Sequence, residues 1–350
     1  MKDKISPILI SPKKDILTAM KLMDELKRKL LIVISDDKFI GLISIGDIQR
    51  ALIKNHKLSD KISTIMRNDY ITAKPENSIQ QIKSLMLKLR AEFMPVVDDK
   101  EKLISVYFWE DLFGEAKQKP LFTFNLPVVI MAGGIGSRLK PLTNVLPKPL
   151  IPISDKTFLE EIFDRFNYQG CDTFYISVNY KADLIEYYLK QQNLPYILHY
   201  FREEKPMGTA GSLSLLKGKI NETFFVSNCD ILIEQDYSEV LRYHRENNNE
   251  ITIIAALKNY PIAYGTIETG ENGKLLQLIE KPELTFKINT GMYILEPHLL
   301  DEIPENDFFH ITHLIEKVKE RNGRIGVFPV SEKSWKDVGN WDEYLKLIRH

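Results

Sequence analysis

The sequence is poor in cysteine: Cys171 and Cys229 are the two thiols in 350 residues. Two thiols make neither a disulfide framework nor a zinc site, so a reduced, cytoplasmic setting is expected. Net charge is as scarce, because 47 basic and 48 acidic side chains leave −1. Such a chain has no long-range attraction to nucleic acid or to an anionic membrane. No apolar run approaches the roughly 20 residues of a membrane span. The opening MKDKISPILI has no long apolar core and no small-residue cleavage site, so no signal peptide is expected. The seven histidines form no metal-ligand spacing, and His310 and His313, near each other on an expected helix, have no third ligand. What is present is 44% hydrophobic and 27% charged, the balance of a globular protein long enough for two or three domains.

The most informative stretch is Val128 to Ile153, VVIMAGGIGSRLKPLTNVLPKPLIPI. A short apolar strand, Val128 to Met131, breaks into a loop carrying Ala132, Gly133, Gly134 and Gly136. Glycine lets the backbone turn with positive φ and approach a ligand with no Cβ in the way. Consecutive N–H groups in such a loop can point at one phosphate oxygen. Arg138 adds a planar fork and Lys148 a point charge, both suited to phosphate. Pro147 and Pro149 stiffen the backbone that presents Lys148. No Gly-Lys-Ser/Thr follows, so the loop is not a Walker A loop. Leu139 occupies the third glycine position of a dinucleotide fingerprint. The next expected strand, Phe174 to Val178, ends on Asn179 and Tyr180 rather than an acidic residue.

From Pro127 onward strands and helices alternate. Helices are expected at 158–168, 182–191 and 237–246, and strands at 174–178, 196–201 and 224–227. Three further strands are expected at 251–257, 275–279 and 288–295, with a last helix at 341–348. The alternation predicts a mainly parallel sheet covered by helices on both faces. Ligands then sit at the carboxyl ends of the strands, where Gly133 and Asp230 both fall. Residues 1–116 read differently, as an internal repeat with helix, strand, acidic turn, strand and helix in each unit. Lys38 and Lys102, and Asp47 and Asp111, stand 64 residues apart. Residues 117–126 form the connection. It is not Gly/Ser-rich, and Leu121, Phe122 and Phe124 predict a docked segment rather than a free tether.

AGGIGSRLKPLT at 132–143 and PKPL at 147–150 closely resemble the signature of the sugar-1-phosphate nucleotidyltransferases, with Ser137 in place of the commoner Thr. EEKPMGTAG at 203–211, Asn228-Cys229-Asp230, Tyr264-Gly265, Glu280-Lys281-Pro282, Asn289-Thr290-Gly291 and Trp335-Lys336-Asp337-Val338-Gly339 resemble later family segments in order and spacing. The first half resembles a tandem pair of cystathionine-β-synthase-type (CBS) domains, a family that often binds adenine nucleotides. Its hydroxyl-x-x-Asp motif appears as Ser44-Ile45-Gly46-Asp47. In the second unit Phe108 holds the hydroxyl position and Asp111 is retained. Ser44, Asp47 and Asp111 are therefore the candidate ligands there, beside the alternative of a ligand-free packing module. No left-handed β-helix hexapeptide follows, so the acyltransferase domain of some family members is not expected.

The resemblance implies an α/β fold with a Rossmann-like sheet of the nucleotide-diphospho-sugar transferase type, behind an α+β CBS pair. It implies transfer of a nucleotidyl group to a sugar 1-phosphate, with release of pyrophosphate. Asp230 and Asp337 would hold Mg²⁺, a hard ion that takes one or two carboxylates plus phosphate oxygens. Arg138 would hold the departing phosphates and Lys148 the α-phosphate. Ala132, Gly133, Gly134, Gly136, Glu203, Gly208 and Thr209 would bind nucleotide. Gly265, Glu280, Lys281, Asn289 and Thr290 would bind the sugar phosphate. Cys229 reads as a small buried residue, because the transfer is direct. A carboxylate in Glu203-Glu204 could accept both donors of guanine, which favours GTP. The combination most resembles CBS-fused guanylyltransferases acting on glucosamine 1-phosphate for legionaminic acid synthesis. A mannose-1-phosphate guanylyltransferase, a uridylyl- or thymidylyltransferase, and an inactive nucleotide-sensing module are the alternatives. Self-association is a further candidate interaction.

Overall fold

The computed structural model describes residues 2–67, 69–114 and 119–348, which divide into two compact units, Met1–Lys119 and Pro120–His350. Residues 115–118, where the repeat is expected to end and the connection to begin, lie outside the described residues.

In the first unit the repeat is visible in the strand register. β1 (Leu9–Ile10) runs parallel to β2 (Leu30–Ser35), with Leu9 opposite Ile32, and β2 pairs antiparallel with β3 (Lys38–Ser44). In the second copy Ala73 bridges Val96 in parallel, the same pairing displaced by 64 residues. β4 (Phe93–Val97) and β5 (Leu103–Phe108) complete it. Helix α1 (Ile16–Leu26) starts on Asp15, whose carboxylate accepts the Thr18 N–H. Helix α2 (Ile45–Ile53) starts on a capping box between Ser44 and Asp47, and α3 (Ile79–Leu89) on one between Ser78 and Gln81. Each box satisfies two N–H groups that a helix start leaves orphaned. The fourth start, at α4 (Trp109–Phe113), has no side-chain cap, because Phe108 stands where Ser44 does. The repeats are tied by the Glu92 carboxylate, which accepts the Lys29 N–H, and by the Arg28–Glu110 pair.

The second unit is built on seven strands. β6 (Val128–Met131), β7 (Thr173–Val178), β8 (Ile197–Arg202) and β9 (Phe224–Asn228) run parallel in the order β8-β7-β6-β9. Beyond β9 lie β14 (Glu283–Leu295), β11 (Ile251–Pro261) and β15 (Ile325–Ser331). Only β14 is reversed, so the sheet is mainly parallel. Shorter strands lie outside it, among them β10 (Ile231–Ile233), β12 (Thr266–Thr269) and β13 (Leu275–Ile279).

Phe224 and Phe225 are adjacent in β9, so their rings face opposite sides of the sheet. Phe224 joins Leu213, Leu299 and the apolar face of α8 (Ile311–Glu320). Phe225 meets Phe166 of α5 (Phe158–Gln169) and Tyr237 of α7 (Tyr237–Glu246). Both faces are thereby covered, and each fully buried ring contributes about 2–3 kcal/mol. Phe124 stacks on Phe225 at 5.5 Å, so the connecting segment is docked on the second unit from Pro120 onward. Glu250 bonds Arg321 and His298, which ties the start of β11 to the end of α8. No helix among the described residues is long and apolar enough to cross a membrane.

Residues 275–279 form the expected strand, and it lies outside the main sheet. β13 pairs with β12 in a separate ribbon. β11 and β14 pair out to Pro261 and Glu283, and the Ile262 N–H donates to Pro282 O. Residues 251–295 are thus one long hairpin, broken at 262–265 and 280–282.

Candidate active site

The glycine loop leaves the carboxyl end of β6, the place that parallel topology reserves for ligands. Ala132 is buried and donates its N–H to Ser177 O. A Cβ on Gly133 would lie 2.9 Å from Glu203 Oε1, whereas Gly134 faces open space. Gly136 has φ +69°, in the left-handed region, and a Cβ there would press on Thr143 and Lys148. The Thr143 hydroxyl donates to Gly136 O, and Trp341 Nε1 donates to Lys140 O, which together hold the loop.

Lys148 and Asp230 form an ion pair with side chains 10% and 14% exposed. Asp230 lies two residues past the end of β9. β10 pairs antiparallel with β16 (Trp335–Asp337), which sets Asp337 opposite Ile231, and the Val338 N–H donates to Asp230 O. The two carboxylates are therefore neighbours. Burial, and then the charge of Asp230, push the Asp337 carboxyl above its usual range. One Asp337 oxygen accepts the Gly339 N–H at 2.8 Å. A Cβ on Gly339 would lie 2.9 Å from an Arg138 guanidinium nitrogen, so Arg138 comes down on the same turn. Arg138 and Lys148 of the glycine-loop stretch thus converge with Asp230 and Asp337 from two distant segments. Two neighbouring carboxylates, one of them disfavoured in its charged form, are a donor set that a hard divalent cation would relieve. Cys229, between Asn228 and Asp230, is buried with its thiol pushed up to about 12 by burial, so it is no nucleophile.

On one side of this centre lies the segment 203–211. Glu203 is half-buried: its Oε1 accepts the Ser177 hydroxyl and its Oε2 the Met207 N–H. Glu204 is exposed. Gly208 has φ +79° and would collide with Phe309 O if it carried a Cβ. Thr209 Oγ1 accepts the Ile311 N–H at the start of α8. The segment is clamped at both ends.

On the other side lies the broken hairpin. Gly265 and Glu280 face each other across the break, with Glu280 Oε2 3.0 Å from a Cβ built on Gly265. Lys281 is exposed, with φ +45°. Asn289 is exposed, and its Oδ1 accepts the Gly291 N–H. Thr290 is buried, and its hydroxyl donates to Ile254 O. That hydroxyl serves the sheet. Asn228, legible in the sequence only as a member of the Asn228-Cys229-Asp230 segment, packs under Gly291 closely enough to exclude a Cβ there. Ser177, which donates to Glu203, carries no signal in the sequence, because a serine inside an apolar strand is ordinary.

Among the described residues a second carboxylate group with metal-like spacing is Glu250, His298 and Glu302. Arg321 bonds both of its carboxylates, so a cation is already in place. In the first unit Asp47 is buried. Its oxygens take the Ser44 hydroxyl and N–H and the guanidinium groups of Arg50 and Arg67. Asp111 pairs with Lys4 at 3.0 Å, and Phe108 is buried with Arg28 over its ring.

Residues 127–350 match the family model described as nucleotidyl transferase. The chain belongs to the nucleotidyl transferase family. Residues 2–54 and 62–116 each match the CBS domain model. The chain is similar to mannose-1-phosphate guanylyltransferase 1 of Arabidopsis thaliana, 30% identical over 233 residues. It is similar to mannose-1-phosphate guanylyltransferase of Mycobacterium tuberculosis, 28% identical over 229 residues. Each match takes in 64% of this chain and 64% of the relative. Among solved structures it is similar to HddC from Yersinia pseudotuberculosis, with 27% identity and a TM-score of 0.51 over 64% of this chain and 98% of that one. The same protein complexed with GMP-PN gives 26% identity and the same TM-score.

Proposed function

We propose that this chain transfers a nucleotidyl group, GMP from GTP, to a sugar 1-phosphate. The convergence of Arg138, Lys148, Asp230 and Asp337 beneath the glycine loop carries the reading. A sugar-phosphate oxygen attacks the α-phosphorus, the bond from that phosphorus to the bridging oxygen breaks, and pyrophosphate leaves. The attacking phosphate is mostly dianionic near neutral pH, its second pKa being about 6, so no general base is required. The obstacle is bringing two polyanions into line, which makes positioning and charge stabilisation the chief tasks. Lys148 neutralises the α-phosphate, and Arg138 the phosphates that depart. Lys281 and Glu280 take the sugar phosphate and its hydroxyls at the hairpin break. Asp230 and Asp337 would hold Mg²⁺, which supplies positive charge against phosphate oxygens.

Guanine is favoured by the names of the relatives and by the GMP-PN bound to HddC. Glu203 supports it as well, since each of its oxygens keeps a lone pair for the N1–H and N2 amino donors. For the sugar, glucosamine 1-phosphate follows from the CBS-fused resemblance and mannose 1-phosphate from the relatives. Pyrophosphate release, measured with four nucleoside triphosphates against both sugar phosphates, tests the reading. It expects turnover with GTP and one of the two. No turnover with any combination would refute it, and a higher kcat/KM with UTP or dTTP would refute the guanine assignment.

A further inference from the structure

The far end of the long hairpin is built for a partner. β12 and β13 pair only with each other, so each has an unpaired outer edge among the described residues. An isolated two-stranded ribbon is at best marginally stable in water. This one also exposes its apolar side chains. Ile267 faces Leu278 across the ribbon and Leu276 lies beside them, and the three are 64%, 59% and 60% exposed. Before the break Tyr260 faces Leu284, with Phe286 two residues on, and these are 44%, 46% and 50% exposed. Taking about 150–250 Å² for a whole aromatic side chain, and near the lower figure for Leu or Ile, these six offer roughly 500 Å². That lies in the upper part of the range for the largest apolar patch of an ordinary monomer, about 300–600 Å², and such patches are often functional. It is more than half of the ~800 Å² that each partner gives to a stable interface.

The sequence of β13 says what the partner is. It reads Leu275-Leu276-Gln277-Leu278-Ile279, with no charge to block edge pairing. It is also nearly the same in both directions. Antiparallel to its own copy, it sets Leu275 opposite Ile279, Leu276 opposite Leu278, and Gln277 opposite Gln277. Two-fold symmetry requires such self-complementarity. We infer that two copies of this chain associate through β13, paired antiparallel about Gln277. The contact has a consequence for the site, resting on the function proposed above. β13 runs straight into Glu280-Lys281, and β12 starts straight after Gly265. Pairing the ribbon therefore steadies the break that receives the sugar phosphate.

The test uses the full chain. At roughly 50 µM, tight enough to populate a micromolar dimer, light scattering should give at least twice the 40.6 kDa chain mass. Leu276→Lys with Leu278→Lys should halve the observed mass. Its KM for the sugar phosphate should rise about tenfold while that for GTP stays within about twofold. A wild-type mass of one chain, or an unchanged mass in the variant, overturns the interface whatever the enzyme's activity proves to be. Should the variant not fold, cysteine placement decides. Opposed residues at a two-fold lie about 4.5–5.5 Å apart between Cα atoms, within disulfide reach. Gln277→Cys should then link two chains on oxidation, and Lys274→Cys should not. Equal linking of both, or of neither, contradicts the pairing. If the mass halves but the KM for sugar phosphate is unmoved, the steadying of the break is wrong.

Discussion

Lys148 donates from its ammonium to Asp230 in a pocket where both side chains are largely shut off from water. Asp230 thereby fixes the ammonium beside the glycine loop, where Lys148 also packs against Gly136. Removing one partner of a nearly buried pair strands the other, at about 3 kcal/mol. Lys148→Ala should lower stability to urea by about that amount. It should lower kcat by about 100-fold, because the contact strengthens as charge moves to the α-phosphate. Unchanged kcat with only a raised KM would assign Lys148 to binding alone.

Asp230→Asn and Asp337→Asn should each lower kcat by more than about 100-fold while far-UV circular dichroism is unchanged. The two should differ in melting. Burial and the charge of Asp230 disfavour the Asp337 carboxylate, so Asp337→Asn in EDTA should melt at least as high as wild type. Asp230→Asn breaks the pair with Lys148 and should melt lower. Near-normal turnover of either variant at limiting Mg²⁺ would remove that residue from the metal set.

Glu203 has two possible duties, reading the base and shaping the loop behind Gly133. Competition between GTP and UTP separates them. Glu203→Gln should reduce kcat/KM for GTP by about tenfold or more and for UTP by much less, because an unpaired guanine donor is costly. Lys205→Gln should leave the ratio alone. An equal loss for both nucleotides would leave Glu203 a shaping role only.

A pH effect is expected away from the site. Glu250 accepts from Arg321, His298 and the Arg324 N–H, which lowers its carboxyl from 4.5 to about 2, the Arg321 bonds contributing most. A lowered carboxyl stabilises the fold above its unfolded value and loses that advantage as pH falls through the folded one. Glu250→Gln should therefore be less stable than wild type at neutral pH, by about 1–2 kcal/mol. The gap should close between pH 4.5 and about 2, as read by urea titration at several pH values. A gap independent of pH would mean that shape, not charge, fixes this junction.

Local pattern in the chain determined the elements. The strand at Val128–Met131 and the helices at Ala182–Gln191 and Tyr237–Glu246 have the bounds expected from the local pattern. Short-range sterics and capping act within a few residues, so they are written in the sequence. The 64-residue repeat was legible for the same reason, since each copy buries its strands by the same local means. Tertiary structure decided the rest. That Arg138 meets the turn at Asp337 and Gly339, and Lys148 meets Asp230, follows from which strands lie side by side, and side-by-side order depends on contacts between distant segments. The same holds for Thr290, whose hydroxyl is turned to Ile254 by the pairing of β11 with β14. It holds again for β13, whose strand is legible in the sequence while its pairing with β12 is not. A strand's residues state that it pairs, but only the packed chain states with what, because backbone hydrogen bonds are alike along every edge.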